Sequence, residues 1–219
     1  CSEKFKCKWD FTKGFKSNML VENRFLKYFS FLLSTLFIVY VIYLIISSFF
    51  IVKNQFIDIG DATYVNQVRT DDYTIKLANH LTKDCASNKV CEVQAMLDFV
   101  TQIPYKINES IARNAKQVVD QNFGDCDDKS NLLISMLKVK GYEAYFILVP
   151  KHIFVIVNME QKLENKKALY VNGKRFYILE STAQNSKIAF PLKYSFEEIE
   201  AIIDPFVNKK LVVEKLEYK

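Results

Sequence analysis

An α+β domain behind one membrane-crossing helix is the fold class this sequence predicts, and three observations predict it. The stretch from Tyr28 to Val52 runs 25 residues without a charge. After it come segments whose apolar residues recur at three- and four-residue steps, the spacing of helices with one buried face. From Tyr142 onward the period shortens to β-branched and aromatic runs, punctuated by Asn172-Gly173, a strong short hairpin signal. Helices followed by an antiparallel sheet make α+β.

Composition narrows the function classes first. Of 219 residues, 50% are apolar and 25% charged, with a net charge of +5, which suits a folded chain and not a disordered one. No Lys/Arg stripe interleaves with aromatics downstream, and no zinc-finger or glycine-rich RNA-binding pattern occurs. No nucleic-acid partner is expected.

Residues 1–27 form a basic arm with seven Lys/Arg against three acids. Trp9, Phe11 and Phe15 sit among its lysines, which leaves two placements open: along the inner membrane surface, or in a solvated tail. Residues 28–52 are long enough to cross a ~30 Å hydrocarbon core at ~1.5 Å per residue. The run is too long for a signal peptide, and no small-residue cleavage site precedes Lys53. The Lys/Arg excess before the span puts the arm in the cytoplasm and the rest outside a single-pass cell membrane. Cys1 and Cys7 would then be reduced. Cys85 and Cys91, outside, could close a short disulfide loop, and Cys126 is left as an unpaired thiol.

Residues 53–70 read as a juxtamembrane connector and 71–219 as one domain. Helices are predicted at 71–83, 90–103 (Val90, Val93, Leu97 and Val100 on one face, Pro104 beyond the stop) and 111–121. In "FGDCDDKS", residues 123–130, Asp125 is a fitting N-cap and Asp128 stands where a capping-box acid would stand. Cys126 thus falls at the first helical position, with Leu132, Leu133, Met136 and Leu137 on the buried face and Gly141 just past the end. Strands are predicted at 142–149 and 152–158, separated only by Pro150 and Lys151, and around Asn172-Gly173. A short helix is expected at 196–203 and a last strand in "KLVVEKLEY".

Two histidines occur. His80 lies in a helical pattern beside Asn79 and reads as a surface residue. His152 opens a strand 26 residues after Cys126, with one helix and one strand between them. A strand packed on the Cys126 helix can bring the imidazole to the helix N-terminus. There the macrodipole and an imidazolium would favour a thiolate over the opposing aspartates, well below the usual ~8.5. The Cys126 N–H would face a developing oxyanion. Glu180, ending the adjacent strand "RFYILE", is the candidate to orient the imidazole. A structural helix-end cysteine, a strand-edge histidine and a solvated glutamate are the other reading of the same spacing.

"GDCDDKSNLLISMLKVKGYEAYFILV", "HIFVIV" and "YILESTA" together resemble the transglutaminase-like superfamily of papain-type cysteine acyl-transfer enzymes, over roughly 75–185. The resemblance implies a papain-like fold with N-terminal helices packed on an antiparallel sheet. It implies Cys126 as nucleophile, His152 as general base and then acid, and Glu180 as orienting group, on a peptide or protein substrate. Aspartate is usual at the third position, and Asn185 or a backbone group is the alternative to Glu180. The family's oxyanion tryptophan has no counterpart, since the one tryptophan is Trp9; Gln121 and Asn122 are the substitutes. Relatives that bind calcium beside the cysteine match Asp125 and Asp127, although capping accounts for Asp125 equally well; no other cofactor is expected. The expectation is a membrane-anchored peptidase or amidase, with hydrolysis favoured over crosslinking. Its rivals are a non-catalytic module binding peptide or envelope components, and a scaffold whose arm does the work.

Overall fold

A computed structural model describes residues 24–59, 63–108 and 112–219. Most of the basic arm, with Cys1, Cys7, Trp9, Phe11 and Phe15, lies outside the described residues. Helix α1 spans Arg24–Gln55, about 48 Å at ~1.5 Å per residue. Its apolar side chains are exposed all round, and Thr35 and Ser48 turn their hydroxyls back to the Phe31 and Leu44 carbonyls, both at 2.8 Å. By length and composition Arg24–Val52 can cross a membrane, a test that a signal sequence near the N-terminus also passes.

Ile51–Lys219 forms a compact unit of its own. The supposed connector is in part structured. β1 (Phe56–Asp58) pairs antiparallel with β2 (Thr63–Val65), Ile57 and Tyr64 are buried, and the Tyr64 O–H donates to Asn131 at 3.0 Å. Alternation of buried and exposed residues over three positions is too short to read from sequence.

Four helices follow: α2 (Asp72–Leu81), α3 (Lys89–Gln102), α4 (Ala115–Gln121) and α5 (Cys126–Val139). α4 starts later than 111 because Asn114 forms a capping box with Gln117, ending the extended approach. α5 begins at Cys126 as expected, with the Asp125 carboxylate accepting the Asp128 N–H at 3.2 Å. Its far end is closed by Gly141 (φ 78°). There the Tyr142 N–H reaches the Leu137 carbonyl and the Gly141 N–H that of Lys138, a Schellman motif. Cys85 and Cys91 are joined as a disulfide just before and within α3.

The sheet has seven strands in the order β8-β7-β3-β4-β6-β5-β9, all antiparallel. β3 (Ala144–Val149) turns through Pro150 and Lys151 (φ 61°) into β4 (His152–Val157). β5 (Leu169–Val171) and β6 (Lys174–Leu179) flank Asn172 and Gly173, both at positive φ as a type I′ turn requires. Two expectations are corrected here. The helix expected at 196–203 is confined to a 3₁₀ turn at Phe196–Glu198, and Ala201–Asp204 is strand β7, whose apolar run is buried against β3. The single last strand is divided into β8 (Lys209–Lys210) and β9 (Leu216–Tyr218), which lie on opposite edges of the sheet.

One sheet face, with Ile153, Val155, Tyr177 and Leu179, packs with the helices around Leu97, Leu133 and Met136. The other, with Phe154, Ile156, Phe176 and Ile178, is covered by irregular chain carrying Phe190, Leu192 and Tyr194. Each fully buried large apolar side chain contributes about 1.5–3 kcal/mol. These contacts fix where the head of α5 meets the sheet.

Candidate functional site

The β4–β6 ladder runs from Val157–Tyr177 to Val155–Leu179 and stops there. Beyond it, Ile153 has no β6 residue in register, and the first turns of α5 fill the opening. Ser130 on α5 donates to the Ile153 carbonyl at 3.4 Å and lies 3.1 Å from the Ser181 hydroxyl just past β6. The Ile153 N–H lies against the Cys126 sulfur, where it favours the thiolate. An opened ladder therefore receives the sulfur beside the residue that follows His152.

His152 and Glu180 meet at the same opening, on its Phe154 side. The His152 Nε2–H donates to Glu180 Oε2 at 2.8 Å. Glu180 Oε1 accepts from the Thr182 N–H at 3.0 Å and its hydroxyl at 2.6 Å. Burial works to raise the Glu180 pKa, but the His152 and Thr182 hydrogen bonds outweigh it and hold the carboxyl below its ordinary value. A carboxylate on Nε2 leaves Nδ1 with the imidazole lone pair. The ring is stacked on Tyr194, whose centroid lies 6.2 Å away, and Tyr194 in turn stacks on Phe154 at 6.0 Å.

The electrostatics of the thiol differ from expectation. Burial, and then the charges of Asp127 and Asp125, push the Cys126 thiol up to about 12, with the Ile153 and Asp127 N–H groups working the other way. Its S–H donates weakly to the Asp127 carboxylate at 3.9 Å. The expected thiolate at neutral pH is thus not the resting state, because desolvation and two like charges exceed the helix-end field. Asp127 itself rises to about 6, from desolvation and from Asp125 and Asp128. Asp127 is an exposed residue, so the charges of Asp125 and Asp128 are the firmer cause.

Asp128 does not complete a capping box. Its buried carboxylate instead accepts from the Arg113 N–H (2.7 Å), Nε (3.1 Å) and Nη2 (2.6 Å). The same guanidinium donates to the Phe123 carbonyl at 2.8 Å and to Gln121 Oε1, and lies 4.2 Å over the Phe123 ring. Gln121 is thereby engaged with Arg113. Asn122 ends α4 in the left-handed region with an exposed side chain. Among the described residues no hydrogen bond ties either of them to Cys126. Of the calcium candidates, Asp125 accepts the Asp128 N–H on one oxygen and the Asn108 N–H at 3.0 Å on the other, and Asp127 takes the weak Cys126 S–H contact. Asn185 and His80 are exposed.

Several neighbours escaped the sequence. Tyr105 forms a parallel bridge with Gly124, and its hydroxyl pKa is raised by burial and by the charges at Cys126, Asp125 and Asp127. Lys129 is buried on α5 with its ammonium on the Ile103 carbonyl at 2.8 Å, which caps the end of α3. Neither has a local sequence signal. Thr182 does, because it follows the acid in "LESTA". A cleft of about 220 Å³ has His152 and Glu180 in its wall with Phe154, Phe190 and Tyr194; Cys126 does not line it.

No family model matches the chain, and no curated protein matches it. Solved structures with a similar backbone are described as proteases. One is a candidate cysteine protease from Cytophaga hutchinsonii, at 18% identity and a TM-score of 0.40, aligned over 53% of this chain and 39% of that one. Another is a candidate protease from Parabacteroides distasonis ATCC 8503, at 15% identity and a TM-score of 0.45, over 68% of this chain and 29% of that one. The chain spans well under half of each. Overlaps this partial carry no argument about chemistry.

Proposed function

We propose that this chain is a membrane-anchored cysteine acyl-transfer enzyme that hydrolyses amide bonds of a peptide or protein substrate. The observation that carries the reading is the His152–Glu180 pair, set where the opened β4–β6 ladder receives the Cys126 sulfur. With a neutral thiol at rest, His152 acts as general base. Nδ1 takes the Sγ proton as sulfur bonds to the amide carbon, and Glu180 stabilises the imidazolium. The imidazolium then protonates the departing amine, leaving a thioester that water resolves. The Cys126 N–H, at the first position of α5 and outside the Asp125 cap, is the backbone candidate for the oxyanion.

The proposed topology has the arm inside and the domain outside. The Lys/Arg excess before α1 supports it, as does the Cys85–Cys91 disulfide, which persists in oxidising compartments. A second reading, a peptide-binding module without chemistry, is favoured by the raised Cys126 pKa.

Iodoacetamide alkylation of the Cys126 peptide, followed by mass spectrometry across pH, separates the two. The enzyme reading expects alkylation near neutral pH to be faster in the wild type than in His152→Ala. Superimposable pH–rate curves would leave the binding module.

A further inference from the structure

We propose that a basic cavity at the opposite end of β6 from Glu180 binds phosphate-class oxyanions. The cavity measures about 450 Å³ and is lined by Lys162, Lys166, Lys167, Arg175 and Lys219, with no aspartate or glutamate in its wall. Arg175 and Glu180 are five residues apart along β6, about 17 Å in an extended chain, so the site is separate from the thiol.

Arg175 and Tyr177 form part of its wall. Arg175 Nη2 is anchored on the Met159 and Glu160 carbonyls at 3.0 and 2.8 Å, while its Nε is buried and has no partner. An unmatched buried donor is costly and calls for an acceptor. Tyr177, two residues on and on the same face of β6, accepts the Leu163 N–H at 2.7 Å, which leaves its own hydroxyl proton to donate. Around these stand the lysine ammoniums. Glu217, in register with Tyr170 across β5–β9, is bridged on both oxygens by Lys215 and Lys219 at 3.0 Å. Glu160 and Glu164 in the neighbouring loop are exposed.

A wall carrying five cationic side chains suits an anion with several acceptor oxygens. A planar carboxylate would want the guanidinium fork, and Nη2 is already held by carbonyls. The volume exceeds that of bare phosphate and leaves room for a larger body beside the half-buried Tyr170. The chemistry is that of a phosphate monoester, either a free phosphorylated small molecule or a lipid headgroup.

Calorimetry on the full chain in phosphatidylcholine nanodiscs tests this, with glucose 6-phosphate as probe and glucose as its uncharged control. Glucose 6-phosphate should bind and glucose should not. Affinity should fall about tenfold or more in the surface double variant Lys166→Ala/Lys167→Ala and in Arg175→Lys, and should weaken as salt is raised. Cys126→Ser should bind like the wild type. If a lipid headgroup is the source, nanodiscs containing phosphatidic acid should suppress glucose 6-phosphate binding in the wild type. Absence of binding, equal affinity in wild type and both variants, or equal binding of glucose would each overturn the site.

Discussion

His152 and Glu180 meet at 2.8 Å along a diagonal of the sheet. Continued in register, β4 and β6 would set Phe154 opposite Glu180 and His152 opposite Thr182. Diagonal neighbours start about 7–8 Å apart, a gap that only long side chains close. The glutamate side chain is long enough to close it.

Glu180→Asp should therefore impair the site as much as removing the charge in Glu180→Gln. Loss of a charge-assisted hydrogen bond costs about 1.5–3 kcal/mol, or roughly ten- to a hundredfold in rate. The check is the His152-dependent part of Cys126 alkylation. Full retention in the aspartate variant would show that the diagonal reach is not needed.

Glu180 also predicts acid sensitivity. Its folded pKa lies below the ordinary value, so its stabilisation is complete above the unfolded pKa of ~4.3 and disappears as pH falls through the folded value. Urea unfolding of the wild type should weaken on acidification below about 4.3, and less steeply in Glu180→Gln. Parallel curves would contradict this.

Asp127→Asn removes the larger of two like charges acting on the thiol. The Cys126 pKa, now about 12, should fall, and the alkylation profile should shift to lower pH. Desolvation is the first cause, so the shift should be partial. A profile moving upward would mean that Asp127 activates the sulfur.

Arg113 and Asp128 form a buried pair that ties the approach of α4 to the first turn of α5. Arg113→Met leaves a buried carboxylate unpaired and should cost about 3–5 kcal/mol in urea unfolding. Adding Asp128→Leu should recover much of that loss. No recovery would point to the backbone contacts of Arg113 as the main contribution.

Gly124→Ala probes the close approach in front of Cys126. A Cβ there would stand 3.0 Å from the Asp128 Cβ and 3.3 Å from the Lys129 Cγ. Both partners are buried on α5, so overpacking of about 1–3 kcal/mol is expected, with a changed Cys126 alkylation rate. An unchanged melting temperature would mean that α5 yields easily.

The local elements were legible because their signals are local. The cap at Asp125, the stop at Gly141 and the Asn172-Gly173 turn each act within a few residues, and each stands where it was read. The helix expected at 196–203 is held to a single 3₁₀ turn at Phe196–Glu198 for a tertiary reason, since Ala201–Asp204 is a strand through its pairing with β3. Gln121 was read as a substitute oxyanion donor in the absence of the tryptophan, and its tie to Arg113 is a side-chain contact that spacing along the chain does not reveal.

By itself, the order of residues set one long apolar helix, a helix-then-sheet domain, and a cysteine at a helix start followed by a histidine at a strand start. Hydrophobic period, caps and turn chemistry act over short spans and need no knowledge of the fold. Only the tertiary structure decided that the β4–β6 ladder opens to admit the sulfur and that Glu180 reaches His152 diagonally. It also decided that burial and neighbouring aspartates keep the thiol neutral at rest. Those outcomes depend on strand register and on charges brought together from distant segments, and neither register nor burial is written in spacing along the chain.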